Sequence, residues 1–202
     1  MRRLAPLLLL VAVALQAQSP TQEPAAAATI DVRLRDELLA MRDIDHDMRR
    51  EWIAHPQSLE IQKQIEDTDE SHFVRLREIV REHGWPGRSL VTDRGSTAAW
   101  LVVQHGGPSA IKEMLPLMQQ AAKNGELDPS LYATSVDRDL INDSKKQRYG
   151  THFNMKGGVC TVQPLEDPAH VDDLRKAVGL GTLAEYAQRL CSAYKPAAPV
   201  KP

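Results

Sequence analysis

From residue 30 onward the apolar residues recur at intervals of three and four, the spacing of one face of an α-helix. Leu34, Leu38, Met41, Met48 and Trp52 mark a first helix that must stop before Pro56. Phe73, Leu76, Ile79 and Val80 form the stripe of a second helix over Leu59 to His83, closed by Gly84, which reaches a left-handed cap cheaply. Thr97 to His105 is nearly all apolar and predicts the central buried helix, ended by Gly106-Gly107-Pro108. A fourth helix, Ser109 to Asn124, turns Ile111, Met114, Leu115 and Met118 inward, with a kink expected at Pro116. Asp128-Pro129 has the form of an N-cap followed by the first helical position, and Asp167-Pro168 repeats it ahead of Val171, Leu174 and Val178. Thr182 and Glu185 make a capping-box pair at the start of the last helix.

The period changes only between Gln147 and Pro164. Tyr149, Thr151 and Phe153, then Asn154 to Gly158, then Val159 to Val162 read as a β-hairpin, which must pack on the helices because a lone hairpin is marginal in water. The expected fold is therefore mainly α. About six helices pack as one domain over residues 30–194, with one small β-hairpin.

Ahead of that domain the pattern is different. Arg2 and Arg3 precede an apolar run from Leu4 to Leu15, and small residues follow at Ala12, Ala14 and Ala17, the layout of a secretory signal over residues 1–17. The run is about a dozen residues, whereas a membrane span needs about 20, so cleavage is expected rather than anchoring. Residues 18–29 read as a flexible leader and 195–202 as a disordered tail. The expected location is exported, periplasmic or extracellular, without a membrane anchor, since no cysteine follows the signal to carry a lipid.

Charge narrows the partners. Taking Arg2 and Arg3 from the 25 basic residues leaves 23 against 27 acidic ones, a balance that disfavours nucleic acid. Cys160 and Cys191 could form one disulfide outside the cytosol or stand as two separate buried thiols. No cofactor is expected: there is no P-loop, GxGxxG, HExxH, GxSxG or paired CxxC. Asp43-x-Asp45-x-Asp47 begins like a calcium loop, but Met48 stands where that loop needs glycine and Ala54 where it needs glutamate. The stretch is read as an acidic, solvated helix face. His46, His72, His83, His105 and His152 show no ligand spacing on one helix, so no metal site is expected, a site assembled from distant parts of the chain being the minor alternative.

The candidate chemistry lies where helix ends meet polar side chains. Gln104-His105 closes the most apolar helix against two glycines, Asp137-Arg138 is an adjacent acid and base, and Gln147, Tyr149, Gly150 and Thr151 cluster on the hairpin. A carboxylate orienting a histidine, with arginine and tyrosine nearby, suits acid–base chemistry or the gripping of an anion. His83-Gly84-Trp85-Pro86-Gly87 either stops a helix, with Trp85 covering the core, or puts Trp85 on a pocket rim.

These stretches, in this order, carry a resemblance. His83-Gly84-Trp85-Pro86 with Ser89-Leu90-Val91, Ala98-Ala99-Trp100-Leu101 with Val103-Gln104-His105, and Leu115-Pro116-Leu117 come first. Asp137-Arg138, Gln147 with Tyr149-Gly150-Thr151, Val171-Asp172, Val178-Gly179-Leu180 and Ala184-Glu185-Tyr186 follow. Over residues 66 to 188 the chain resembles a bacterial family known as domain of unknown function 6624. It departs from that pattern at His152, where the family usually has glutamine, and at Gly106-Gly107-Pro108, where the family is longer and acidic. The resemblance implies no activity; it draws attention to Trp85, His105, Asp137, Arg138, Gln147, Tyr149 and Thr151.

The function expected from the sequence is the binding of a small polar or anionic ligand, or of a protein partner. His105, Asp137, Arg138 and Tyr149 would form its chemical centre, with Trp85, Gln104, Gln147 and Thr151 around the ligand. The alternative is a hydrolase with His105 and Asp137 as acid–base pair and Arg138 and Tyr149 stabilising negative charge. A helical scaffold without a pocket is a third class. Whether the chain is an enzyme is left open by these residues.

Overall fold

A core of Leu34, Leu38 and Met41 against Phe73, Leu76, Ile79, Ala98, Ala99, Val102 and Val103 draws the first three helices together. The structure, a computed structural model, describes residues 29–156 and 159–193. The expected signal segment, nearly all of the expected leader, the C-terminal residues from 194 and Gly157-Gly158 lie outside the described residues. The order is α1 (Val32–Ala54), α2 (Leu59–His83), α3 (Arg88–His105), α4 (Gly107–Lys123), α5 (Pro129–Asn142), β1 (Phe153–Lys156), β2 (Val159–Val162), α6 (Val171–Ala177) and α7 (Leu183–Ala193). The fold is mainly α: seven helices and one antiparallel hairpin among the described residues.

Local chemistry explains most boundaries. The Asp31 and Ser58 side chains accept from Leu34 N and Ile61 N at the starts of α1 and α2, and Asp128 accepts from Ser130 N at α5. Thr182 and Glu185 exchange hydrogen bonds as a capping box, 3.0 and 3.3 Å long. In the hairpin Phe153 faces Val162 and Lys156 faces Val159, so β1 runs on through residues expected to form its turn.

Four local expectations are corrected. The helix expected from Thr97 begins at Arg88, with a break at Thr92 (φ 67°) where the chain turns out of helical geometry and resumes. Trp52 is 40 % exposed, because the last turn of α1 projects past the core. Asp167 accepts from Ala169 N rather than capping α6, whose first flanking residue is His170. The α1 face taken as solvated contains Asp45, only 7 % exposed.

Candidate functional site: a polar centre between three helices

Asp45 is buried because it follows Leu34, Leu38 and Met41 along the core-facing stripe of α1. Arg49 stands one turn later on α1, and its Nε donates to Asp45 Oδ1 at 2.7 Å. The same guanidinium grips Asp69 of α2 through Nη2, at 2.8 and 2.7 Å. His105, the last residue of α3, brings its Nδ1 to 2.8 Å from Asp45 Oδ1 and 3.2 Å from Arg49 Nε. Three helices thus converge on two carboxylates, one imidazole and one guanidinium.

The hydrogen bonding within this group does not close. Asp45 Oδ2 is buried without a donor. The single Nδ1 of His105 faces both an acceptor and a donor: if protonated it suits Asp45 but opposes Arg49, and if bare it suits Arg49 but opposes Asp45. Burial pushes the Asp45 carboxyl up, but hydrogen bonds from His105 and Arg49 outweigh it and hold it below the usual carboxylate range. Burial leaves Asp69 raised despite Arg49, and pulls the His72 imidazole down against the charges of Asp69 and Asp45.

The centre has an opening. A cleft of about 340 Å³ is rimmed by Glu66, Asp69, Glu70, Phe73, Arg77 and His105, with Gly106 at its floor. Gly106 cannot carry a side chain there, since a Cβ would lie 2.8 Å from the Ala110 Cβ and 3.2 Å from the Phe73 ring. Arg77 stacks on Phe73 and is committed to Glu113 at 2.5 Å, so the carboxylates of Glu66, Asp69 and Glu70 set the sign of the cleft.

The other expected site residues go elsewhere. Asp137 is fully buried, and its carboxylate accepts from Arg148 N, Tyr149 N, Thr151 N and Thr151 Oγ1 at 2.7–2.9 Å. The carboxylate that faces His105 is Asp45, and no hydrogen bond joins His105 to Asp137 among the described residues. Gln147, also fully buried, spends its amide on His152 O, Gln163 O and His152 N. Thr151 gives its hydroxyl proton to Asp137 and so accepts from His152 Nδ1, at 2.9 Å. Asp137, Tyr149, Thr151 and Gln147 are thus brought together, as the anchor of a turn.

Arg175, missed from the sequence, completes that anchor: 1 % exposed, it donates to the carbonyls of Tyr149, Gly150 and Gly181 and lies over the Tyr186 ring. Trp85 packs on the core and donates to Ser96 Oγ. Gln104 donates to Ser135 Oγ while its Oε1 is buried without a donor. Arg138 is half-buried beside this anchor, its Nε without an acceptor, and burial lowers its pKa. Cys160 and Cys191 are joined by a disulfide that ties β2 to α7.

With that geometry in view, comparison with known families is informative. The model of a family of unknown function, DUF6624, matches residues 32–198. The chain belongs to that family. The matched stretch contains every residue of both polar groups, so the three-helix centre and the anchored turn are parts of a DUF6624 domain rather than appendages to it. Neither the curated proteins nor the solved structures yield a match. No described helix is long and apolar enough to cross a membrane.

Two residues could have been found sooner. Asp45 interrupts the α1 stripe one turn after Met41, and Asp69 lies one turn after the buried Ile65 on α2. A charged residue on a core-facing stripe is the signal.

Proposed function

We propose that this protein binds a small cation at the centre formed by Asp45, Asp69 and His105, reached through the cleft rimmed by Glu66 and Glu70. One observation carries this reading: Asp45 is a buried carboxylate with one oxygen unpartnered, and an acceptor without a donor in such a place is a costly feature that a positive ligand would relieve. The sign differs from the anionic ligand that the sequence suggested, because Asp137 and its neighbours are consumed by the turn while the open cleft is acidic. Binding of alkyl mono- and diamines and of metal ions, followed by thermal unfolding, tests it. A rise in melting temperature that is lost in Asp45→Asn supports the reading; equal response of both proteins sinks it.

We also propose that the protein works outside the cytosol. The Arg2-Arg3 start with its apolar run supports this, as does the Cys160–Cys191 bond, since structural disulfides are rare in the cytosol. Expression in an intact bacterium with recovery of a shortened chain from the periplasm is the expected result; full-length chain held in the cytosol is the contrary one.

A hydrolytic role is favoured by one observation only, the 2.8 Å approach of Asp45 to His105, which could orient the imidazole as a general base. It predicts ester turnover that is abolished in His105→Ala.

A further inference from the structure

Behind the cleft lies a much smaller space. Asp45, Asp69, His72 and His105 line a cavity of about 10 Å³ with Met41, Leu101, Val102 and Arg42, whose guanidinium is held by Asp43. That volume holds one water or one ion, whereas an organic ammonium group reaches Asp69 and His105 only from the outer cleft. Asp45, Asp69 and His105 each offer a ligand atom, and the three atoms lie within 4.8 Å of one another. Ligands about 2.1 Å from a tetrahedral ion stand about 3.4 Å apart, so the group is within about 1.4 Å of closing on one.

We propose that the cation is a divalent transition metal of the zinc–manganese class, held by Asp45, Asp69 and His105, and that the Arg49 guanidinium is its displaceable stand-in. This rests on the reading of the centre as a cation site. Two carboxylates with an imidazole suit zinc, manganese or iron(II), whereas calcium and magnesium prefer oxygen alone. An ion accounts for both unresolved features at once. Bonded to His105 Nδ1, it removes the conflict between Asp45 and Arg49 over that nitrogen. Bonded to Asp45, it gives the buried carboxylate the positive partner that Arg49 supplies to only one oxygen.

Arg49 has somewhere to go. Its side chain also lines an open cleft of about 500 Å³ with Asp43, His46, Asp47 and Arg50 of α1. A guanidinium turned into that cleft is solvated and shares Asp43 and Asp47 with Arg42 and Arg50, while the ion occupies the position between Asp45 and Asp69. His72 lies three residues after Asp69 on α2 and lines the same small cavity.

Calorimetric titration of the purified protein with Zn²⁺, Mn²⁺ and Co²⁺, each alone, tests the proposal, with the visible spectrum of bound Co²⁺ as an independent readout of coordination. The expected result is one equivalent bound. Asp69→Asn and His105→Ala should weaken it by about 100-fold or more, and Arg49→Met should tighten it by about tenfold because the competing cation is gone. The Arg49→Met response separates a metal centre from an interhelical ion pair, for which that variant loses stability and gains no affinity. Circular dichroism establishes that each variant is folded. Should Asp69→Asn fail that check, Asp69→Glu and His105→Ala decide. No binding by the wild type and by folded Arg49→Met, or binding that His105→Ala leaves unchanged, overturns the metal proposal. If alkyl amines still bind in that case, the broader cation reading survives; if they do not, both fall.

Discussion

Asp137 and Arg175 hold one turn from opposite sides. The carboxylate takes the amide hydrogens of Arg148, Tyr149 and Thr151, and the guanidinium takes the carbonyls of Tyr149 and Gly150. Both side chains are almost fully buried, so neither can exchange this role for water. The turn is where the helical body meets the hairpin and the two last helices.

Replacement of Asp137 by asparagine leaves one acceptor oxygen for donors that now converge on two, and sets an NH₂ group against backbone N–H. A loss of roughly 3–5 kcal/mol is expected in urea unfolding. Arg175→Met leaves three carbonyls dry and should cost roughly 2–4 kcal/mol. Because both hold the same turn, the double variant should lose less than the two single losses together. Strict additivity would show that the two anchors act separately.

Stability should depend on pH through His152. Burial, reinforced by the charge of Arg138 and opposed by Asp137, lowers its pKa from 6.5 to about 4. Between those values the unfolded chain binds the extra proton and the folded one does not, so stability rises with pH across that window and is lost on acidification toward pH 4. After allowance for its partial exposure the effect is on the order of 2 kcal/mol. Urea titrations at pH 7.5 and pH 5 should differ accordingly in the wild type and differ less in His152→Gln.

Gly150 should resist substitution. Its φ of 66° is one that side chains adopt poorly, and a Cβ would stand 2.8 Å from Leu183 Cδ1. Gly150→Ala is expected to cost about 2 kcal/mol, seen as a lower melting temperature. Leu183→Ala in the same background removes the collision but not the strain, so it should make the added cost of the alanine smaller without abolishing it.

Reduction of Cys160–Cys191 opens a connection with a sequence separation of 31 and should destabilise the fold by about 3–4 kcal/mol. Unfolding with and without a reductant measures this directly. Amides of α7 should lose exchange protection first, since α7 has no buried residue of its own. The His105 centre draws on α1, α2 and α3, so its hydrogen bonds should survive reduction.

The helices were legible because their information is local: stripes such as Leu34, Leu38 and Met41, and caps such as Asp128 and Thr182, act within one or two turns. The residues of the turn were also legible as a group, but as chemistry rather than architecture. A sequence shows that Asp137, Gln147 and Thr151 are polar; it does not show that backbone amides use up their capacity. The carboxylate that meets His105 is hidden in the sequence for the same reason. It is Asp45, which lies 60 residues away on a different helix, within an acidic stretch that looks solvated until the stripe of α1 is followed through it.

That separation also orders events in time. Arg49 and Asp69 are 20 residues apart and can meet as soon as α1 and α2 fold back on each other, whereas His105 arrives only when α3 docks. Asp45 is enclosed only when α3 is packed against α1 and α2. Anything that binds at this centre is offered a complete set of ligands only by the finished helical body, so its occupant would report on the completion of folding as well as on its own concentration.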